Sequence, residues 1–300
     1  MRSVYEIDKY TEMLDFPVES RSALLQLEQN LSEDADAKQN FAQLVEKFLK
    51  VKTAFSEIEE PLKPIAERFS VSIYTLDMVF LLACLPNLFE KYRKANLPEF
   101  LFRDTMMDLK YKLLECKTVQ DVWGIFVAGW YPEFYHLERF TLGRFQYECA
   151  EFNFDHYEKD GFVLHQGDTV INFHIPSSGA MTKDTRIESY RKAYQFFAKK
   201  RKNGILPMVC DSWLLFQEHN NMLPESSNIR SFMSDFTILK QSEEDSFGHG
   251  WRIYGKENLE PFQDLPEDSS LKRGYKNLLL AGKKTGSGYG LILFDGEEIL

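Results

Sequence analysis

The spacing of apolar side chains in the first 120 residues constrains the fold most strongly, because it keeps to a helical period. Within residues 36–60, apolar positions recur three or four apart and therefore share one helix face. They are Phe41, Leu44, Val45, Phe48, Val51 and Phe55. Prolines punctuate the predicted helices at Pro61, Pro64, Pro86 and Pro98. Strand-type alternation is absent, so we predict an all-helical bundle over residues 1–120 with the apolar segment 74–85 at its centre.

After residue 130 the pattern changes to short runs rich in β-branched and aromatic residues, bounded by Gly, Asp, Asn or Pro. The predicted strands are 140–148, 161–166, 169–175, 208–216, 236–241, 251–254 and 290–294. Residues 165–168 are typical of a hairpin turn, and Thr185 with Glu188 forms a capping box at a helix start. Further helices are predicted at 226–235 and 269–281. Residues 121–300 are therefore predicted to form an α+β domain.

Charge and cysteine content exclude several function classes. With 36 Lys and Arg against 46 Asp and Glu, the net charge is −10, which repels phosphate backbones, so we predict no nucleic-acid partner. Four separated cysteines favour reduced thiols over a disulfide framework, and no histidine or cysteine spacing indicates a metal site. The apolar stretch 76–85 is interrupted by Asp77 and ends at Pro86, so it has about half the length of a membrane-spanning helix. We therefore expect a cytoplasmic protein with no membrane contact; the sequence leaves the oligomeric state undetermined.

Polar side chains interrupt three of the predicted strands at alternate positions. The groups that share a strand face are Arg144, Gln146 and Glu148; Asn172 and His174; and Cys210 with Ser212. A strand covered by helices is usually apolar throughout, and each unpaired buried polar group costs about 1–3 kcal/mol. Such stripes either satisfy one another or line a wet cleft. The alternative is an antiparallel sheet with one solvated face, which explains the group around Glu148 well.

His174 stands at the end of a very apolar strand, where a solvated sheet face explains it less well. Cys210 with His174 would form a thiol–imidazole pair, since a neighbouring imidazole lowers a thiol pKa. The alternative for Cys210 is an inert buried thiol. Ser212 shares the stripe of Cys210 and is a further candidate. A serine hydrolase has less support, because the sequence has no G-x-S-x-G motif.

The segment that follows the strand at 169–175 leads directly into a helix and is a candidate phosphate site. Backbone N–H groups at a helix start bind anions, and Lys183 and Arg186 lie close by in the sequence. The segment has one glycine, Gly179, and lacks both the Walker and the dinucleotide patterns. An ordinary strand-to-helix loop is the alternative.

The order of elements after residue 140 resembles the GNAT superfamily of N-acyltransferases. Short motifs further resemble a bacterial two-domain family that joins a helical N-acyltransferase N-terminal domain to a GNAT-like C-terminal domain. The motifs span residues 142–148, 172–176 with Gly179, 210–215 and 227–229. The resemblance covers nearly the whole chain and implies a helical domain at 1–120 and a GNAT-like domain with a mixed, mostly antiparallel sheet at 121–300.

The resemblance also implies a co-substrate, acetyl-CoA or another acyl-CoA, held where the strands at 169–175 and 208–216 diverge. The cofactor-binding residues that it implies are Ile175, Ser177, Ser178, Gly179, Ala180, Met181 and Asn228. Two features depart from the superfamily pattern. Only Gly179 remains of its glycine-rich loop, and residues 226–235 contain no tyrosine to protonate the leaving thiolate.

The implied activity is direct transfer of an acyl group, acetyl in the first instance, to a small-molecule amine, with Glu148 or His174 as base. The helical domain would contribute to the acceptor site. One alternative is a non-catalytic module that binds acyl-CoA or a related ligand on a degenerate GNAT fold. A second alternative, a thiol-dependent transferase or hydrolase that uses Cys210, predicts a trapped thioester.

Overall fold

The computed structural model describes residues 5–300. The chain forms two compact units, Met1–Phe140 and Thr141–Leu300, so the division falls about 20 residues later than the sequence suggested. Residues 121–140 belong with the first unit because their tyrosines bond to its helices. The Tyr131 hydroxyl donates to an Asp108 carboxylate oxygen at 2.8 Å. The Tyr135 hydroxyl donates to the Leu81 carbonyl oxygen at 2.6 Å.

The first unit is helical, as predicted. Its helices are α1 (Ile7–Met13), α2 (Val18–Glu33), α3 (Ala35–Lys50), α4 (Ser56–Arg68), α5 (Ile73–Lys94), α6 (Glu99–Met106), α7 (Asp108–Gln120) and α8 (Pro132–Tyr135). Helix α5 contacts α1 to α4, α6 and α7, and every residue from 76 to 85 is buried. The apolar segment therefore lies at the centre of this unit, where the sequence placed it.

The prediction of one helix over residues 36–60 is wrong, and of the four prolines expected between helices only Pro98 lies there, before α6. Helix α3 ends at Lys50 and α4 begins at Ser56. The break lets Phe55 pack edge-on against Phe48 and Phe80, at centroid distances of 5.8 and 6.0 Å. Two prolines lie inside α4 and one inside α5, at Pro61, Pro64 and Pro86. Burial of the apolar helix faces outweighs the hydrogen bonds that these prolines remove.

Helix α5 is also longer than the apolar stretch suggested. Its 22 residues are long and apolar enough to cross a membrane by length and composition. Yet 61% of its most apolar window is buried inside the structure, which is the pattern of a core helix.

Asp77 is an ionisable group at the centre of this unit, with 1% of its surface exposed. Burial raises its pKa to about 8, because desolvation penalises the charged carboxylate. The negative charge of Glu59 raises the pKa further, and Lys63 opposes the shift. The folded protein therefore holds a proton at Asp77 that the unfolded chain releases above about pH 4.

The second unit contains the predicted mixed sheet. Its strands are β1 (Arg139–Leu142, across the division), β2 (Phe145–Glu151), β3 (His156–Lys159), β4 (Phe162–His165), β5 (Thr169–His174), β6 (Leu206–Ser212), β7 (Thr237–Glu244) and β8 (Thr285–Phe294). The six-stranded sheet has the order β1-β2-β5-β6-β8-β7, and β3 and β4 form a separate pair. Strands β5 and β6 are parallel, whereas β2–β5, β6–β8 and β7–β8 are antiparallel.

The helices of the second unit are α9 (Lys183–Phe196), α10 (His219–Met222), α11 (Asn228–Met233), α12 (Gly250–Tyr254) and α13 (Ser270–Leu280). Residues 251–254, predicted as a strand, lie in α12. Four residues are too few to show a helical period, and Gly255 ends the helix with φ 69° while its N–H bonds to the Trp251 carbonyl. The cap of α9 is Thr182, whose hydroxyl accepts from the Thr185 N–H, rather than the predicted Thr185.

Three strand predictions change at turns. Residues 140–148 form two strands, separated at Gly143, whose φ of 75° suits a tight turn. Strand β4 pairs with β3, which was not predicted, so the turn at 165–168 joins strands of different sheets and makes no hairpin. Strand β6 ends at Ser212, because its hydroxyl accepts from the Leu214 N–H and starts a short 3₁₀ turn.

The six-stranded sheet has two distinct faces. On the helical face, an aromatic core forms where Phe145 stacks on Tyr190 of α9 at 5.7 Å and Phe173 stacks on Phe236 at 5.9 Å. The opposite face, which we term the hairpin face, packs against β4. Its apolar cluster contains Phe152, Phe162, Leu164, Val170, Val209, Leu291 and Leu293. Beyond that cluster, toward the ends of β5 and β6, the hairpin face becomes polar.

We expect replacement of Asp77 by asparagine to alter stability in a pH-dependent way. Because the folded pKa lies above the unfolded one, the stability of the native protein falls as the pH rises from about 4 to 8. A neutral amide removes this dependence, so the free energy of unfolding of Asp77→Asn relative to that of the native protein should rise by about 3–4 kcal/mol between pH 5 and pH 8. Urea unfolding at a series of pH values measures it. Asp104→Asn, which removes an exposed carboxylate on α6, is the control. If the free energy of unfolding changes with pH in the same way for both variants, the account is contradicted.

Candidate active site

Strands β5 and β6 separate at their carboxyl ends, and this opening defines the candidate site. Their parallel pairing consists of Ile171 with Met208 and Asn172 with Val209. Beyond that point β5 continues to His174, while β6 stays paired with β8 as far as Ser212 and Gly288. The ladder between the two strands therefore ends within the segments where the family resemblance implied that they diverge.

Glu148 and His174 meet beside this opening. Glu148 Oε1 lies 2.7 Å from His174 Nε2, and the Asn172 amide donates to the same carboxylate oxygen at 3.2 Å. The histidine side chain is 22% exposed and the glutamate side chain 16% exposed. The pair is thus shielded enough to strengthen the interaction and open enough to reach a ligand.

The register of β2 and β5 explains why these side chains meet. Gln146 lies opposite His174, and Glu148 lies opposite Asn172. Opposed residues point to the same face, so Glu148 and His174 are diagonal neighbours on the hairpin face. Diagonal neighbours lie about 7–8 Å apart, within reach of two long side chains.

The tautomer of His174 follows from the charge of Glu148. An ionised Glu148 carboxylate only accepts hydrogen bonds, so in that state Nε2 of His174 donates to Oε1 rather than accepting from the Asn172 amide 3.2 Å away. In this tautomer Nδ1 is the ring nitrogen that accepts a proton. Glu148 then orients the imidazole and stabilises the imidazolium that forms, as a carboxylate does in other histidine bases.

The loop after β5 contains six of the seven predicted cofactor-binding residues, from Ile175 to Met181. Arg144 holds its start, donating to the Pro176 carbonyl at 2.8 Å and to the Ser178 hydroxyl at 3.4 Å. Gly179 has φ 75°, a left-handed conformation that glycine adopts without strain. Ser177, Gly179 and Ala180 are exposed, so this part of the loop is open to a ligand.

Arg186 does not supply positive charge to this loop, contrary to the sequence hypothesis. It is fully buried and binds Asp235 through Nε at 2.6 Å and Nη2 at 3.1 Å. Its Nη1 donates to the Met181 carbonyl at 3.1 Å, so Arg186 fixes the end of the loop. Lys183 is exposed and directly follows the loop at the start of α9. Asn228, the seventh predicted residue, is the exposed first residue of α11.

Cys210 is not next to His174. It lies opposite Gly290, where a Cβ would come within 2.5 Å of the Phe236 ring, so this pair points to the helical face. His174 points to the hairpin face. Burial raises the pKa of the Cys210 thiol, and the charge of Asp211 raises it further. The thiol–imidazole pair is therefore wrong, and Cys210 is an inert core thiol.

Ser212 lies on the same side of β6 as Cys210, and its hydroxyl accepts from the Leu214 N–H at 3.1 Å. It caps a turn rather than facing Glu148. Sequence reasoning did not select Asp211, which alternates with these residues and therefore lies on the hairpin face. The alternation of side chains along β6 was the available signal, but alternation alone does not identify which set of residues faces the site.

Comparisons with known proteins agree with this geometry. A model of the N-acyltransferase N-terminal domain matches residues 5–137, and a model of the GNAT-like C-terminal domain matches residues 139–292. A comparison with curated proteins gives no match.

Solved structures share the fold. The crystal structure of an acyltransferase with decanoyl-CoA and teicoplanin is 18% identical, covers 96% of this chain and 87% of its own, and has a TM-score of 0.74. An acyltransferase with CoA and 10C-teicoplanin is 18% identical, with coverages of 97% and 88% and a TM-score of 0.74. An acyltransferase mutant with octanoyl-CoA is 18% identical, with coverages of 95% and 87% and a TM-score of 0.73.

The matched domain models together span almost the whole chain, and the divergent strands occur where such a fold requires them. The chain therefore belongs to the family of two-domain GNAT-like acyltransferases, in which an N-acyltransferase N-terminal domain precedes a GNAT-like C-terminal domain.

Proposed function

We propose that the protein transfers an acyl group from acyl-CoA directly to an amine. One observation carries the proposal: Glu148 and His174 form a hydrogen-bonded pair at the edge of the opening between β5 and β6. A base beside a slot that admits a thioester is the minimum arrangement that this chemistry needs.

The opening would accept the pantetheine arm of acyl-CoA. Backbone groups on the facing edges of β5 and β6, beyond Asn172 and Val209, are not used by a ladder between these strands. An extended amide chain can pair with such groups as an added strand. The exposed residues Ser177, Gly179 and Ala180 would then contact the pyrophosphate, with Lys183 as a nearby cation.

The reaction would proceed by direct attack. The amine nitrogen attacks the thioester carbonyl carbon as its proton passes to Nδ1 of His174, directly or through a water molecule. The imidazolium is stabilised by Glu148. Strand N–H groups stabilise the oxyanion, the C–S bond breaks, and the thiolate of CoA leaves and takes up a proton.

Several finer points belong to this proposal. The sequence favoured an acetyl group, whereas the matched acyltransferases were crystallised with decanoyl-CoA or octanoyl-CoA. Both short and medium acyl chains therefore need to be assayed. A small-molecule amine acceptor and a cytoplasmic location remain predictions from the sequence.

We expect a negative charge in the loop to weaken acyl-CoA binding. Ala180 is exposed beside Gly179, so Ala180→Asp would place a carboxylate against the pyrophosphate and raise the Kd of octanoyl-CoA about tenfold at low salt. The effect should shrink as salt screens the charges. Ala198→Asp, beyond the other end of α9, is the control. Isothermal titration calorimetry measures both variants, and equal Kd values would exclude this loop as the phosphate site.

We expect Glu148→Gln and His174→Ala to lower kcat about 100-fold or more, because each removes part of the base. The Kd of octanoyl-CoA should stay within about twofold, since neither side chain is assigned to the phosphate loop. Release of free thiol from acetyl-, octanoyl- and decanoyl-CoA across a set of primary amines measures the rate.

The exposed His156→Ala serves as the matched control for this pair, because its side chain is 51% exposed on β3. Variants that keep more than half of the native kcat would contradict the assignment of the base. Binding of octanoyl-CoA without turnover of any amine would instead identify a non-catalytic binding module.

A further inference from the structure

Asp211 lies across the opening from His174. Asn172 and Val209 are the last paired residues of β5 and β6, and His174 and Asp211 each stand two positions further along their strands. Two steps along a strand return a side chain to the same face, so both point to the hairpin face. Within residues 5–300, Asp211 makes no hydrogen bond or ion pair with Glu148 or His174.

The Asp211 carboxylate is exposed and has no hydrogen-bond or ion-pair partner within residues 5–300. It lies opposite Tyr289 of β8, which in turn lies opposite Lys240 of β7. Burial raises the pKa of Asp211, and the positive charge of Lys240, with that of His249 when it is protonated, opposes the shift. Neither comes within the 4 Å of an ion pair, so the carboxylate is available to a cation.

An aromatic wall adjoins Asp211. The Tyr289 ring packs on Phe154 with centroids 5.2 Å apart, and both side chains are half-buried. Aromatic faces attract cations and pack against hydrocarbon chains. A carboxylate beside such a wall suits an ammonium group at the end of an apolar stem.

We propose that Asp211 is a specificity-determining residue that binds a second positive charge on the acceptor amine while the reacting amine lies at His174. The proposal rests on the proposed acyl transfer. A carboxylate in contact with the reacting nitrogen would stabilise its protonated form and oppose deprotonation. A carboxylate across the opening instead attracts a distant ammonium group and leaves the reacting nitrogen to the base. The substrate class is thus an amine with a second basic nitrogen a few bonds away.

The test compares 1,5-diaminopentane with pentylamine as acceptors, with octanoyl-CoA as donor, at pH 7.5. The two probes have the same carbon chain and differ in one ammonium group. We expect the native protein to prefer the diamine by about tenfold or more in kcat/KM, and Asp211→Asn to remove most of that preference with little effect on pentylamine. The change should lie in KM rather than in kcat.

Two further variants sharpen the test. Lys240→Gln removes a competing positive charge and should increase the preference for the diamine. Asp264→Asn removes an exposed carboxylate elsewhere in the second unit and should change neither acceptor. An equal loss for both amines in Asp211→Asn, or no loss for either, overturns the proposal.

Failure of the proposed function has a different signature. If no amine releases thiol from octanoyl-CoA in the native protein, calorimetric titration with 1,5-diaminopentane alone decides the question. Binding that Asp211→Asn abolishes and Asp264→Asn preserves upholds the cation site without the reaction. Absence of diamine binding to the native protein overturns it.

Discussion

The early end of the β5–β6 ladder is the constraint on which the site depends. After Asn172 and Val209, β5 remains with β2 and β6 remains with β8, so each strand keeps one partner and loses the other. Arg144 donates to the Pro176 carbonyl just after β5 and so fixes the start of the following loop. Strands that stay side by side usually continue their ladder, because unmade backbone hydrogen bonds are costly. The backbone groups left at the opening are therefore typical of a ligand site.

The opening is supported from the helical face by a buried ion pair. Arg186 of α9 binds Asp235, which follows α11, and also donates to the Ser231 hydroxyl within α11. The Tyr190 hydroxyl donates to the same Asp235 carboxylate. An ion pair this deeply buried stabilises the fold little more than an apolar pair of similar size would, but it permits only one arrangement of the two side chains. Arg186 also binds the Met181 carbonyl, so the ion pair fixes the end of the loop that we assign to phosphate.

The sequence predicted the fold class and some members of the candidate site. Helical spacing and short β-branched and aromatic runs distinguished the two kinds of domain, and alternation placed Glu148 and His174 in polar stripes on their strands. Alternation shows which residues of one strand share a side, but it does not show which face of the sheet that side forms. It therefore could not show that Cys210 faces away from His174. The register that brings Glu148 to His174 is a tertiary property. The same holds for the burial that keeps Pro61 and Pro86 inside helices, and for the glycine that ends the helix at Tyr254.

A crystal structure of the protein with a non-hydrolysable octanoyl-CoA analogue tests the central claim most directly. We predict pantetheine amides bonded to the edges of β5 and β6 beyond Asn172 and Val209, with the acyl carbonyl beside His174. An analogue bound elsewhere, or strands paired continuously to His174 in its presence, would contradict the account.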